Sequence, residues 1–328
     1  MKILVVGYGS IGKRHILNLK QIGKIDVIVL TKRKRDNFLK KNCYKIFSTL
    51  DECLKEKPKA AIICNETNLH LKVATKLVKN DIHVFIEKPI SNSLVGINDL
   101  KKNIQKKKII THVGCVLRFH PIIKTTKKLL ENNIIGKIKF VHSENGSYLP
   151  DWHPKENYRK SYASKDMMGG GVVLTCIHEL DYLIWMLGRI DSVVSKNAKI
   201  SGLGIQADDI SVSILKFNSN IIGELHLDFF QRPKTRFCKI IGDKGTLQID
   251  FEKNQLKLYK IKNKKFQTVE DVKGYNKNEM YVDEMRYFLK CVKGKEKSFN
   301  DINFGEKVLK TALSINESSK KKKEIIIK

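Results

Sequence analysis

The sequence predicts an α/β protein, with a doubly wound parallel sheet at the N-terminus and then an α/β domain whose sheet is mostly antiparallel and open. Three observations carry this reading. Short apolar runs alternate with helix-spaced segments from residue 2 to about 114, and the first run stops at three glycines, Gly7-x-Gly9-x-x-Gly12. Beyond about residue 120 the alternation gives way to strand-like runs separated by short turns. A length of 328 residues favours two domains, and the change of rhythm divides them as 1–118 and 119–328.

In order, residues 2–6 are an apolar strand, and Ile11, Ile16, Leu17 and Leu19 have helical spacing after the glycines. Strand-like runs follow at 26–30, 60–64, 83–86 and 109–114, with helical segments at 50–56, 69–79 and 94–105 between them. Strands alternating with helices imply parallel βαβ units wound right-handedly. Next come a helix over 120–134, a strand over 137–148, and a polar, aromatic-bearing loop over 150–168. A glycine run, Gly169-Gly-Gly171, leads from there into one apolar helix over 172–186. Strands are predicted at 192–200, 209–217, 221–230, 236–242, 246–251 and 255–261, joined by turns such as Asn218-Ser-Asn220. Helices are predicted at 279–293 and 304–319, the first with a core stripe of Tyr281, Met285, Phe288, Leu289 and Val292. The basic tail from Lys320 frays or pairs at a sheet edge.

Composition narrows the function. Hydrophobic residues make up 41% and charged residues 30%, too apolar for a disordered chain. No run approaches the ~18–20 apolar residues of a membrane span, and the first strand meets Gly7 with no signal-peptide layout, so a cytoplasmic protein without a membrane partner is expected. The seven cysteines include no C-x-x-C pair, which points to free thiols and to no metal. The formal charge of +29 raises nucleic-acid binding as a question. The excess is Lys spread along the whole chain, however, with no nucleic-acid module, so a lysine-biased composition is the reading and no nucleic-acid partner is expected.

In the glycine turn, the first glycine permits a tight turn, the second lets backbone approach a pyrophosphate, and the third lets helix pack on strand. The helix that starts there offers unpaired N–H groups to phosphates. Gly7, Tyr8, Gly9, Ser10, Ile11 and Gly12 are therefore candidate contacts for a dinucleotide. At the end of the second strand, where a carboxylate would hold the 2′-hydroxyl of NAD, stand Thr31, Lys32 and Arg33; the only carboxylate read nearby is Asp26, at the strand's beginning. A hydroxyl and two cations suit a 2′-phosphate, so NADP(H) is favoured over NAD(H), with Arg33 also able to stack on adenine.

The opening Gly7-Tyr-Gly-Ser-Ile-Gly12-Lys-Arg-His15, together with Glu87-Lys88-Pro89-Ile-Ser91, resembles the Gfo/Idh/MocA oxidoreductase family. The resemblance continues through Asn65-Glu-Thr-Asn-Leu-His70, the glycine run with His178-Glu-Leu-Asp181, and Lys239-Ile-Ile-Gly242-Asp-Lys-Gly245-Thr. It implies a Rossmann domain, then an α/β domain whose open sheet walls the substrate site and often forms an oligomer interface, giving a homodimer or homotetramer. It also implies hydride exchange between nicotinamide and a sugar, cyclitol or related hydroxyl or carbonyl. Lys88 is the implied proton carrier with His178 as its partner, and Asn65, Thr67, His70, Glu87, Lys88 and Pro89 lie beside the cofactor.

The residue types agree with that chemistry. Moving a hydride to or from an alcohol carbon requires a proton to leave or join the oxygen, and a lysine ammonium beside the cationic oxidised ring releases its proton more readily. Pro89 restricts Lys88 to extended geometry. The chain departs from the family pattern about one turn before His178, where Thr175, or Leu174 if the spacing from the glycines is counted one residue shorter, stands in place of the usual Asp; Thr175 can hydrogen-bond a hydroxyl or orient His178 but cannot hold a proton as a carboxylate does. Asp181 reads as a brace of the fold. Trp152, Tyr158, Arg159 and Tyr162 in the aromatic loop suit a sugar, through ring stacking and hydroxyl pairing. Arg118 is a further substrate-side candidate, and His120 before Pro121 reads as a hinge cap.

The leading expectation is an NAD(P)-dependent oxidoreductase acting on a carbohydrate, such as a sugar or sugar nucleotide; resemblance to a subgroup with the Asp151-Trp-His-Pro154 and His178-Glu-Leu-Asp181 stretches implies a setting in surface-glycan synthesis. The alternatives are a redox-neutral enzyme that retains its nicotinamide cofactor, and a dinucleotide-binding sensor or scaffold without turnover.

Overall fold

The computed structural model of the chain describes residues 1–327. Its elements, in order, begin with β1 (Lys2–Val6), α1 (Ser10–Ile22), β2 (Asp26–Leu30), α2 (Asn37–Asn42), β3 (Lys45–Phe47) and α3 (Leu50–Lys55). They continue with β4 (Ala60–Ile63), α4 (His70–Lys79), β5 (His83–Glu87), α5 (Ile97–Lys107), β6 (Thr111–Gly114), α6 (Pro121–Glu131), β7 (Ile138–Gly146), α7 (Val172–Thr175) and α8 (His178–Leu187). Then follow β8 (Ile190–Ala198), β9 (Ile210–Phe217), β10 (Ile222–Asp228), β11 (Thr235–Gly242), β12 (Gly245–Asp250), β13 (Gln255–Lys260), β14 (Lys265–Asp271), α9 (Asn278–Val292), α10 (Ile302–Lys321) and β15 (Ile325–Ile326).

Two compact units result: Met1–Val116 with Lys277–Leu309, and Leu117–Asn276 with the chain from Lys310 onward. The division expected from the sequence assigned everything after 118 to the second domain, whereas residues 277–309 belong to the first unit. The apolar stripe of α9 is the reason. Met285, Phe288, Leu289 and Val292 bury in the same core as Ile16 and Leu19 of α1 and Phe85 of β5.

The first unit is a six-stranded, wholly parallel sheet in the order β3-β2-β1-β4-β5-β6. All of β4 is buried, as are β1 and β5 after their first residues, matching near-continuous apolar strands covered on both faces. Thr49 and Glu52 close a capping box at the start of α3. The sequence reading missed α2 and β3 because six and three residues are too short for a period to register.

The second unit carries a nine-stranded sheet, β14-β13-β12-β11-β7-β10-β9-β8-β15, antiparallel throughout except for the β7–β10 pair. Burial alternates strictly along β9, so one face is packed and the other is open. Val194, Val212, Ile214 and Ile222 are exposed. β14 escaped prediction because it is solvent-facing at nearly every position and shows no apolar alternation. His120 caps α6 by accepting the Ile122 N–H, ahead of Pro121 in the first turn. The tail pairs at the edge, β15 on β8.

One expected helix is two. The segment read as continuous over 172–186 breaks after Thr175, where Cys176 leaves helical geometry, and resumes at His178; the axis from 166–175 to 178–187 bends by 51°. Periodicity could not report this, because nearly every side chain on both pieces is buried. The new direction brings two carboxylates of α8 to arginines. Asp181 receives Arg118 Nε at 2.8 Å and Nη2 at 2.6 Å, and Glu179 receives Arg236 Nε at 2.6 Å and Asn145 Nδ2 at 3.3 Å. Among the described residues no single helix is long and apolar enough to cross a membrane.

Breaking a buried ion pair by removing one partner strands the other charge, at a cost of about 3–5 kcal/mol. We therefore expect Arg118→Met to lower denaturant stability by about that much, and the double variant Arg118→Met/Asp181→Leu to recover most of it. A single-variant loss below about 1 kcal/mol would show that the pair does not brace α8.

Candidate functional site

Parallel register sets the site of the first unit. Leu30, Val6, Ile63 and Ile86 are successive partners across β2, β1, β4 and β5, so these strands end in one row. The segments that leave this row are Thr31–Arg33, Gly7–Gly12, Asn65–His70 and Glu87–Pro89, the positions expected from the sequence to meet a dinucleotide. The strand order reverses between β1 and β4, and ligands of open α/β sheets bind outside the carboxyl ends at such a point.

The three glycines of the turn do different work. Gly7 has φ +100°, and a Cβ there would lie 2.8 Å from the Asn65 backbone nitrogen. A Cβ on Gly12 would stand 2.3 Å from the Gly7 carbonyl oxygen, so only glycine lets α1 close on β1. Gly9 has ordinary extended geometry and nothing within 4 Å of where its Cβ would be; it opens α1, whose first turn carries no acidic side chain. The backbone N–H groups of that first turn, around Ser10 and Ile11, have no partner within the helix and face anions favourably.

On the β2 side, Lys32 and Arg33 are exposed, and Thr31 Oγ1 accepts the Arg33 N–H at 3.1 Å. The structure corrects the reading that Asp26 is the only carboxylate nearby. Asp36, the cap of α2, accepts the Tyr8 hydroxyl at 2.9 and 2.8 Å and the Leu39 N–H at 2.9 Å, and lies 3.9 Å from Lys13 Nζ. The Leu39 N–H first, and then the Tyr8 hydroxyl, hold the Asp36 carboxyl below its ordinary range. Burial, then the Asp36 hydrogen bond, pushes the Tyr8 phenol up. An Asp two residues before an apolar pair, in cap position, was the signal available in the sequence.

On the β4 and β5 side, His70 is buried, with Nδ1 2.9 Å from the Pro89 carbonyl and Nε2 3.0 Å from the Asn65 carbonyl. Burial holds its pKa down, in the neutral direction, and a neutral imidazole has a single N–H, so the ring donates to one of these two carbonyls. Both nitrogens of this ring, which was expected beside the cofactor, therefore lie against backbone carbonyls. Thr67 is also buried, whereas Asn65 is partly exposed and its Oδ1 is buried without a hydrogen-bond partner. Burial, reinforced by Glu87, drives the Cys64 thiol well up, and its Sγ lies 3.6 Å from the Gly7 carbonyl. Glu87 accepts His15 Nε2–H at 2.7 Å and, with its other oxygen, the Lys88 N–H at 3.3 Å. The Lys88–Pro89 bond is cis, and Lys88 is partly exposed.

The substrate-side candidates lie in the second unit. Thr175 ends α7, buried, and His178 starts α8, partly exposed, with the backbone break between them. Arg118, expected toward substrate, is 1% exposed, and its fork is taken by Asp181, because the bend in the helix delivers that carboxylate to it. Tyr158 Oη and Arg159 Nε both donate to the Leu203 carbonyl, at 3.0 and 3.1 Å. Trp152 Nε1–H donates to Ser147 Oγ at 2.9 Å while its ring meets Phe229 edge to face. Tyr162 is exposed beside the glycine run, where a Cβ on Gly170 would lie 2.3 Å from the Tyr162 carbonyl. Among the described residues no group of His, Cys, Asp or Glu is placed to hold a metal ion.

The residues of the first unit fit a dinucleotide on two structural grounds: the open flank of Gly9 at a helix start, and the orphaned Asn65 Oδ1 beside Gly7. Comparison with known proteins agrees. A family model described as "Oxidoreductase family, NAD-binding Rossmann fold" matches residues 1–115, and one described as "GFO/IDH/MocA C-terminal domain" matches residues 123–248. The chain is 27% identical over 255 residues to 2,7-anhydro-N-acetylneuraminate hydratase of Escherichia coli strain K12, covering 76% of this chain and 67% of that one. It is 26% identical over 263 residues to myo-inositol 2-dehydrogenase of Thermotoga maritima, covering 76% and 75%. A solved structure of levoglucosan dehydrogenase in complex with NADH superposes with a TM-score of 0.90 over 100% of this chain and 99% of that chain; at 16% identity this shows the shared fold.

Gly9 and Gly12 separate binding from folding. We expect Gly9→Ala to change stability by no more than about 0.5 kcal/mol while weakening NADH binding at least about tenfold, or ~1.4 kcal/mol. Gly12→Ala is expected to destabilise by about 1–3 kcal/mol. Thermal melts with NADH fluorescence titration read both, and unchanged NADH binding in Gly9→Ala would remove the dinucleotide from this turn.

Proposed function

We infer the function from the premise that the chain belongs to the Gfo/Idh/MocA oxidoreductases: it is an NAD(P)-dependent oxidoreductase of sugars or related polyols. The observation that carries this reading is the shared row of strand ends, which sets the glycine turn, Asn65 and Glu87-Lys88-Pro89 side by side on adjacent strands. A bound dinucleotide would be held along this row, by the start of α1, by Asn65 and by Glu87-Lys88-Pro89. When bound, the cofactor supplies hydride exchange at its nicotinamide ring.

The chain's own residues hold the ends of that reaction. The α1 N-terminus and Gly9 would hold the pyrophosphate, and Asn65 Oδ1 would accept a hydrogen bond from the cofactor. Lys88 carries the proton of the reacting hydroxyl. His178, at the start of α8, orients that hydroxyl, with Thr175 serving as a hydroxyl partner where a carboxylate would store a proton. Tyr162 and the partly exposed faces of Trp152 and Tyr158 contact the sugar rings. The substrate class is supported by the relatives named for inositol and anhydro-sugar chemistry.

Thr31, Lys32 and Arg33 favour NADP(H) for the adenosine end, because the opposing Asp36 carboxylate is engaged by Tyr8, Leu39 and Lys13. The open face bearing Val194 and Ile214, which pair across β8 and β9, favours a homodimer or homotetramer. The seven free cysteines suit a reducing cytoplasm.

A second, redox-neutral reading has one specific support: a relative is named as a hydratase, and adding or removing water leaves no net change in the cofactor. In that case a retained nicotinamide would oxidise and then restore the substrate.

NADPH is expected to bind the cofactor-free protein at least about tenfold more tightly than NADH, and equal or tighter NADH binding in the same fluorescence titration would overturn the preference. Across a panel of sugars, cyclitols and sugar nucleotides, Lys88→Ala is expected to lower turnover about 10²-fold while retaining cofactor binding. Product formed without net change in nicotinamide absorbance selects the redox-neutral reading; cofactor binding with no product from any substrate selects a sensor or scaffold.

A further inference from the structure

We infer that His15 is a positioning residue for Lys88, acting through Glu87; the inference rests on the reading that Lys88 handles the proton. His15 lies on α1 one turn beyond Gly12, fully buried, and Glu87 ends β5, 72 residues away in sequence. Its Nε2 is 2.7 Å from Glu87 Oε1, and Glu87 Oε2 accepts the Lys88 N–H at 3.3 Å. One carboxylate therefore joins the helix that caps the phosphate site to the backbone of the proton carrier.

A purely structural side chain fits this position poorly. His15 Nδ1 is buried and has no hydrogen-bond partner, a desolvation cost that an apolar ring of similar size would avoid. Packing accounts for the ring, which meets Phe85 edge to face at 5.3 Å, but not for its nitrogens. What the imidazole supplies is the Nε2–H aimed at Glu87, and this tautomer leaves only a lone pair orphaned at Nδ1. A donor to a buried carboxylate fixes its rotamer.

The surroundings give that anion an electrostatic role. Among the described residues, His70 and Cys64 from the β4 side and Tyr281 from α9 also interact with Glu87, and the Arg14 guanidinium lies 4.3 Å over the Tyr281 ring. On β6, Gly114 leaves room for the carboxylate, since a Cβ there would come within 3.1 Å of Glu87 Oε2. Without the His15 donor the Glu87 carboxylate is no longer held in place, so the Lys88 N–H loses its fixed acceptor and the lysine loses an anion at a set position.

The test compares His15→Phe, His15→Gln, Glu87→Gln and Lys88→Met in the full-length enzyme, reading kcat, NADH affinity and the pH at which oxidation of the best polyol substrate becomes half-maximal. His15→Phe is expected to lower kcat about tenfold or more and move the half-maximal pH downward. NADH affinity should stay within about threefold of the parent. His15→Gln, whose amide N–H can reach Glu87, should restore kcat to within about threefold and return the pH profile. Glu87→Gln should reproduce the downward pH shift, and it decides the matter should His15→Phe fail to fold. Equal losses in the Phe and Gln variants, or an unmoved pH profile in both His15→Phe and Glu87→Gln, would overturn the inference. Lys88→Met keeps the two readings apart. If it retains the parent pH profile, the Lys88 assignment is wrong; if it is inactive while His15→Phe behaves as the parent, only the role of His15 is wrong.

Discussion

The first unit depends on one close approach, that of Gly12 to the carbonyl of Gly7. With room for no more than a hydrogen at that α-carbon, α1 begins directly against the end of β1, and a methyl would sit 2.3 Å from an oxygen. Because α1 starts there, its unpaired N–H groups face the strand ends, and His15, one turn further along, falls opposite Glu87. The phosphate site and the support of Lys88 are thus consequences of the same contact.

The second unit solves a different problem. An almost wholly apolar segment, 172–187, has to enter a core and still present a polar residue at a chosen place. Two buried carboxylates on α8 do this, each satisfied by an arginine from another element. Such pairs add little to stability compared with well-packed apolar residues, but they are costly to break one partner at a time. They therefore fix the rotation of the helix about its axis, and with it the direction of His178 at its first residue.

Much of this was legible in the chain. Glycine spacing after an apolar run reports a phosphate turn, because each glycine answers a local steric demand. Strand and helix periods report most elements, because they depend on neighbours two to four residues away. The same logic explains the misses. The strand β14 has no buried face to show a period, α2 and β3 are too short, and a helix buried all round gives no sign of its bend. Asp36 was overlooked because the short helix it caps was overlooked, and its partner Tyr8 is 28 residues away.

Site residues show the boundary most clearly. His70 stands in the expected loop, yet its nitrogens meet carbonyls of Asn65 and Pro89. Arg118 is near the expected junction, yet its charge is matched by Asp181, 63 residues on. The residue types and their order along the chain determined the fold class, the glycine turn and the Glu-Lys-Pro segment, since these arise from backbone sterics and short-range periodicity. Only the tertiary structure decided which buried charges pair, that α9 joins the first unit, and that His15 meets Glu87. Those outcomes depend on contacts between segments far apart in sequence, and a polar side chain acquires its role from the partner that burial leaves within hydrogen-bonding reach.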